Sequence, residues 1–310
     1  MKKPYAIAIH GGAGTILKSE MTHDKEAAFQ KAIKVAIDKA YKVLNQGGTA
    51  MDAVEVAVME LEDCLLFNAG KGSVFTANGT YEMDASIMDG SNLDAGAVSL
   101  LTNVKNPVQL ARWVMERTEH VFMAGKGAEE FASENGMVSM PPEYFYNEFR
   151  FQQLQLAKQS DRVILDHDGL KEYKFGTVGA VALDQNGNLA AATSTGGMTN
   201  KKYGRIGDSP MIGCGTYANN ESCAISCTGS GEFFIRVNAA FHVHALMKYA
   251  NLNLMNAADK LIHDILASIG GDGGLIAIDT QANVWMPFNT EGMYRGYKKS
   301  SGEEEVLIYR

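Results

Sequence analysis

The stretch Phe175-Gly176-Thr177-Val178-Gly179-Ala180-Val181-Ala182-Leu183-Asp184, then Gln185-Asn186-Gly187, then Asn188-Leu189-Ala190-Ala191-Ala192-Thr193-Ser194-Thr195-Gly196-Gly197, decides the fold. Two apolar runs flank a loop that ends in glycine, the residue that adopts a left-handed conformation without steric cost and so closes three-residue hairpins. The pattern predicts a β-hairpin in which Asp184 pairs with Asn188. Counting outward sets Thr177 opposite Thr195, so two hydroxyls meet at the strand ends. On its own, that register means no more than a threonine cross-strand pair on an ordinary sheet, a common and modestly stabilising arrangement.

The rest of the chain bounds what the hairpin can belong to. Its 310 residues are enough to bury a sizeable core, and 46% apolar with 21% charged residues is globular composition. The formal net charge of -8 argues against nucleic acid or an anionic membrane as partner, since both need clustered Lys and Arg. Lys201-Lys202 and Lys298-Lys299 are short basic pairs expected on a solvated surface. The apolar run Tyr5-Ala6-Ile7-Ala8-Ile9 stops at His10, short of the roughly 7 to 15 residues of a signal-peptide core, and a first strand explains it better. No apolar stretch approaches the roughly 18 residues needed to span a bilayer. Cys64, Cys214, Cys223 and Cys227 include no Cys-x-x-Cys pair and are expected to be buried thiols in a reducing, cytoplasmic setting.

Periodicity places the elements. After the first strand comes the turn His10-Gly11-Gly12-Ala13-Gly14, which is not a dinucleotide fingerprint: counted from Gly12, the third glycine position falls on Leu17. Helical spacing covers 23–46, and a second helix starts at Thr49, whose hydroxyl can cap it. Strands are predicted over 82–89 and 95–100, with helices over 107–116, around 127–135 and over 149–158. Asp84 and Asp89 are five apart and face opposite sides of a strand, which disfavours a shared acid/base site. Residues 159–174 are expected to be an exposed polar linker. Past the hairpin come a strand over 222–227, one amphipathic helix from Glu232 through Tyr249, a helix over 254–268, and two last strands over 275–279 and 284–288. His242 and His244, two apart on that helix, do not share a face and make no metal site. This order of elements predicts one α/β (α+β) domain over 1–310, with two stacked sheets between helical layers.

Several short motifs carry a resemblance over nearly the whole chain: Gly176-Thr177-Val178-Gly179, Gly204-Arg205-Ile206-Gly207-Asp208-Ser209-Pro210, Cys227-Thr228-Gly229-Ser230-Gly231-Glu232, His10-Gly11-Gly12-Ala13-Gly14, Leu66-Phe67-Asn68-Ala69-Gly70 and Phe288-Asn289-Thr290-Glu291-Gly292. As a set they resemble the plant-type asparaginase and isoaspartyl aminopeptidase family of the N-terminal-nucleophile hydrolase superfamily. The resemblance implies a four-layer αββα sandwich and a threonine nucleophile. It also implies self-cleavage between Gly176 and Thr177, giving fragments 1–176 and 177–310 that assemble as a homodimer of two-fragment units. His10 and Asn68 are accessory candidates near the site. The loop over 61–72 has a counterpart that wraps a structural sodium ion, which points to Leu61, Glu62, Cys64, Phe67, Ala69 and Lys71. No cofactor is implied for the chemistry.

The chemistry is coherent on its own terms. A threonine hydroxyl is a weak nucleophile until a base takes its proton, and a freed Thr177 α-amine, with a reference pKa of about 7.7 to 8.0, could supply that base. Arg205 can grip a carboxylate and Asp208 an α-ammonium group, so the pair would read the amino-acid end of an L-aspartyl substrate; the plainer alternative is a surface salt bridge between them. Thr228 and the Gly229 N–H would form an oxyanion hole, Gly231 would help hold the substrate, and Thr195 would tune Thr177. Asparagine, β-aspartyl dipeptides and glycosylated asparagine all present the same acyl part. An uncleaved, silent amino-acid-binding homologue stays open beside these enzymatic readings.

Overall fold

A computed structural model describes residues 3–159 and 176–310 of the chain, so all of the expected linker beyond Gln159 lies outside the described residues. Strand β1 (Ala6–Gly14) leads into helices α1 (His23–Asn45) and α2 (Ala50–Glu62), then β2 (Met83–Asp89) and β3 (Ala95–Leu101). Next come α3 (Pro107–Arg117), β4 (Phe122–Ala124), α4 (Gly125–Glu134), α5 (Pro142–Phe145) and α6 (Glu148–Gln159). The hairpin is β5 (Val178–Leu183) and β6 (Leu189–Thr195), followed by β7 (Thr216–Ala218), β8 (Cys223–Gly229), α7 (Gly231–Val237) and α8 (Ala239–Ala250). Helix α9 (Leu254–Asp259) runs on as a π-helical stretch (Lys260–Leu266), and β9 (Gly273–Asp279), β10 (Val284–Trp285), β11 (Gly292–Lys299) and β12 (Glu304–Leu307) end the described chain.

The hairpin forms in the expected register. Leu183 pairs with Leu189 and Val178 with Ser194, while the Asp184 N–H donates to the Asn188 carbonyl at 2.9 Å and Gly187 takes φ +92°. Asp184 also ties the hairpin to the helices. Its Oδ2 accepts from the Ala50 N–H at 3.1 Å, meeting an unpaired donor at the start of α2, where the Thr49 hydroxyl caps the Asp52 N–H.

The strands form an eight-stranded sheet ordered β12-β11-β1-β5-β6-β2-β3-β4 and a four-stranded sheet ordered β10-β9-β8-β7. Alternation along the central strands feeds two cores. Ile7, Ile9, Ala180 and Ala182 pack with Phe29, Ile33, Val54 and Leu61 of α1 and α2. Ala6, Ala8, Val181 and Leu183 pack instead with Ile225 of β8, Leu275 of β9, and Val243 and Ala257 of α8 and α9. Both faces of the hairpin are therefore buried, which is why its strands read as near-continuous apolar runs.

Four expectations are corrected. The single helix over 232–249 breaks at Asn238, which sits in the left-handed region (φ 48°, ψ 54°) and separates α7 from α8. The chain does not end with the strands over 275–279 and 284–288. The second of these is only two residues long as β10, and β11 and β12 follow, with β11 pairing against β1. Lys298 at that edge is held by Asp38 and Glu304, so the basic pair marks a strand. Lys201 is buried, not solvated, with Nζ donating to the Glu82 carbonyl at 2.5 Å. The short strands β4 and β7 carry too few residues for a period-2 signal.

Of the four free cysteines, Cys214, Cys223 and Cys227 are buried and Cys64 partly so. No helix among the described residues is long and apolar enough to cross a membrane.

Candidate active site

Continuing the β5–β6 register by one residue sets Thr177 opposite Thr195, and Thr195 in turn pairs with Asp84 on β2. Thr177 is 7% exposed and lines a small cleft, partly open to solvent, with Ala13, Gly176, Thr195, Gly197, Met198, Arg205, Gly207, Asp208, Ser209 and Gly229. Gly176, Thr177, Thr195, Arg205, Asp208 and Gly229, singled out in the sequence, thus line one cleft, although the contributing segments are far apart in the chain.

Gly176 approaches from the first sheet. Gly12, at φ +111°, faces it so closely that a β-carbon at Gly12 would lie 2.6 Å from the Gly176 nitrogen. A β-carbon on Gly176 itself would lie 3.0 Å from Thr228 Oγ1. Thr228, fully buried at the end of β8, accepts from the Ala13 N–H at 3.3 Å, which leaves its own proton to donate. Its neighbour Gly229 (φ +151°) pairs with Gly273 of β9 in a conformation that L side chains rarely adopt.

Arg205 and Asp208 do not form a salt bridge with one another. Arg205 donates Nε and Nη2 to the two carboxylate oxygens of Glu232, each at 2.8 Å, in the bidentate geometry that suits a guanidinium. Asp208 is 3% exposed and its Oδ2 has no hydrogen-bond partner among the described residues. Burial pushes its pKa up to about 7, against the pull of nearby Arg205. A buried carboxylate oxygen left open to a cleft is costly unless something cationic completes it. Gly231 lies between the two side chains: a β-carbon there would come within 2.8 Å of Asp208 Oδ1 and 3.1 Å of Arg205 Nη2.

The floor of the site is set by a second layer. Asn68 donates Nδ2 to the Gly197 carbonyl at 2.7 Å and accepts from the Val74 N–H at 3.0 Å, while the Gly197 N–H donates to Thr195 Oγ1 at 3.0 Å. Lys201 lies beneath the same turn. Its burial lowers the ammonium pKa, and Asp84, raised by its own burial, opposes that shift. His10 is fully buried on β1, with Nε2 2.9 Å from Ser226 Oγ; burial drives its pKa down to about 3, partly offset by the Thr177 backbone.

Two residues escaped the sequence. Ser209 Oγ lies 3.3 Å from Thr177 Oγ1, and Glu232 occupies one edge of Arg205. Ser209 follows Asp208 directly and Glu232 follows Gly231, so adjacency to flagged residues was the only available signal.

The loop over 61–72 gathers main-chain oxygens. A β-carbon at Gly72 would run into the Phe67 carbonyl and lie 3.0 Å from that of Cys64, and one at Gly70 would lie 2.6 Å from the Glu62 carbonyl. The Glu62 side chain turns away, accepting from Ser194 Oγ at 2.7 Å and the Val108 N–H at 3.0 Å. Among the described residues no group of three or more His, Cys, Asp or Glu side chains converges as a metal cluster would require.

The chain belongs to the plant-type asparaginase family, of the N-terminal-nucleophile hydrolase fold: the family model described as asparaginase matches residues 3–308. The chain is 50% identical over 307 residues to an isoaspartyl peptidase of Salmonella typhimurium, covering 98% of each chain. It is equally identical to one from Escherichia coli, covering 98% of this chain and 96% of that one. An isoaspartyl peptidase/L-asparaginase of Homo sapiens is 44% identical over 279 residues, 89% of this chain and 86% of the other.

Proposed function

We propose that the protein is a self-cleaving threonine amidohydrolase that splits L-asparagine and β-aspartyl dipeptides through a β-aspartyl ester on Thr177. The observation that carries this reading is the orphaned Asp208 Oδ2 beside Arg205, in the cleft that holds Thr177. An α-amino acid head group supplies the missing cation to Asp208 and a carboxylate to the remaining N–H groups of Arg205. The side-chain carbonyl then faces Thr177, and Thr228 with the Gly229 N–H receives the oxyanion. The relatives' names, isoaspartyl peptidase and L-asparaginase, agree with that acyl specificity.

Cleavage between Gly176 and Thr177 would free the α-amine that serves as general base. His10 is a poor substitute, because a pKa near 3 leaves little affinity for the hydroxyl proton and its Nε2 is engaged by Ser226. The two cores, one between α1–α2 and the large sheet and one between the two sheets and α8–α9, support the four-layer αββα arrangement. The carbonyls of the 61–72 loop suit a hard alkali ion such as sodium, held by backbone oxygen. A homodimer of two-fragment units remains part of the proposal.

The test is the mass spectrum of purified, denatured protein beside an asparaginase and β-aspartyl dipeptidase assay. Two fragments meeting at 176/177, with activity in the cleaved protein and an intact, inactive Thr177→Ala variant, are the expected outcome. An active Thr177→Ala protein would sink the mechanism.

A further inference from the structure

Beneath Thr177 runs a feature that the proposed chemistry does not use. On the large sheet, Ser86 of β2 pairs with Thr193 of β6, Thr193 with Gly179 of β5, and Gly179 with His10 of β1. These four residues form one row across four adjacent strands. On the small sheet Thr216 of β7 pairs with Ser226 of β8. The two rows interlock as a continuous hydrogen-bonded chain between the sheets. Ser86 Oγ donates to Thr216 Oγ1 at 2.8 Å, Thr216 Oγ1 donates to Thr193 Oγ1 at 2.5 Å, Thr193 and Ser226 hydroxyls meet at 2.7 Å, and Ser226 Oγ meets His10 Nε2 at 2.9 Å. All of these residues are 0% exposed.

Three details make this a built device rather than a scatter of polar side chains. First, Gly179 leaves the gap in the row that the chain needs: a β-carbon there would lie 2.0 Å from Ser226 Oγ and 2.5 Å from His10 Nε2. Second, the protons run one way. Following the donors from Ser86 through Thr216 to Thr193, neutral His10 closes the run by accepting at Nε2, which leaves the ring proton on Nδ1, an atom with no hydrogen-bond partner among the described residues. Third, both ends reach the site. Ser86 Oγ also lies 2.6 Å from the Ser209 carbonyl, so its one proton is shared between that oxygen and Thr216 Oγ1, and Ser209 Oγ lies 3.3 Å from Thr177 Oγ1; at the other end, His10 pairs with Gly179, two residues along the chain from Thr177. Residues two apart on a strand share a face, so this layer lies directly below the row of Thr177, Thr195 and Asp84.

We propose that the inter-sheet chain Ser86–Thr216–Thr193–Ser226–His10 is a positioning element for the nucleophile, fixing Ser209 against the Thr177 hydroxyl from one end and the start of β5, at Gly179, from the other. It does not relay a proton to Thr177, because the link to Ser209 ends on a carbonyl oxygen, which only accepts. The inference rests on Thr177 being the nucleophile.

The test is steady-state kinetics of matured Thr193→Val and Thr193→Ser proteins, beside the uncut Thr177→Ala protein, on L-asparagine and a β-aspartyl dipeptide. Valine keeps the shape of threonine and cuts the chain at its centre. A misplaced nucleophile costs turnover rather than binding, so Thr193→Val should lose roughly tenfold to a hundredfold in kcat with KM within about twofold. Thr193→Ser, which restores the hydroxyl, should recover most of that loss. Should Thr193→Val fail to fold, Ser226→Ala cuts the chain one link along and carries the same expectation. A folded Thr193→Val or Ser226→Ala enzyme with unchanged kcat, or a Thr193→Ser enzyme as slow as the valine variant, overturns the proposal while Thr177→Ala stays inactive. An active Thr177→Ala protein overturns the nucleophile assignment itself, and the positioning role falls with it.

Discussion

At the scale of single residues, the charges in the cleft set the pH response. Asp208, with a pKa of about 7, must be ionised to hold an α-ammonium group. As pH falls below 7 it protonates, and KM for L-asparagine should rise while kcat follows the Thr177 α-amine instead. Separate pH profiles of kcat and kcat/KM check this; a KM that is flat between pH 5 and 8 would remove Asp208 from substrate binding. The stability sign runs the other way. The folded pKa lies above the reference of 3.8, so the folded state binds more protons across that window, and ligand-free stability should fall as pH rises through it. Arg205→Ala should mature normally but bind substrate weakly, losing on the order of 2 to 5 kcal/mol and raising KM steeply. Lysine should not restore it, because one ammonium cannot serve both Glu232 and a substrate carboxylate bidentately. Wild-type KM in Arg205→Ala would refute the clamp.

At the scale of elements, what could be read from the sequence depended on how local the signal was. The hairpin was legible because its turn glycine and apolar runs lie within about twenty residues, and its register put Thr177 opposite Thr195 without any structure. Helices α1, α2 and α3 announced themselves by apolar spacing and by a threonine cap or a leading proline. Strand β11 did not, since its two lysines and two tyrosines mimic a solvated segment until β1 is seen alongside. The Arg205–Glu232 pair and the Thr177–Ser209 contact were invisible for the same reason: each joins residues about thirty positions apart, with no periodic relation. The break at Asn238 is the subtlest case, because asparagine gives only a weak hint of a left-handed residue. That conformation makes a prediction: Asn238→Ala should cost about 1 kcal/mol, whereas Asn238→Gly should be close to neutral. Urea denaturation midpoints of the two variants decide it, and equal midpoints would mean that the break is not strained for alanine.

At the scale of the whole molecule, the order of the large sheet has a consequence for the cut proposed before Thr177. Reading across it, β12 and β11 come from the segment after residue 177, β1 from the segment before, β5 and β6 from after, and β2, β3 and β4 from before. The two predicted pieces are shuffled like cards, sharing three backbone seams in a single sheet. Maturation should therefore leave one particle, with both pieces travelling together through a sizing column until a denaturant is added. Its return journey, however, is no longer that of one chain. The uncut Thr177→Ala protein should recover its structure at a rate independent of protein concentration, while the processed enzyme must first bring two polymers together and should recover more slowly on dilution. A concentration-independent recovery of the processed form would show that one piece folds alone. Otherwise, scission acts as a one-way valve: a protein that folds as a monomolecular event becomes, by breaking a single bond, one whose lifetime rests on never coming apart.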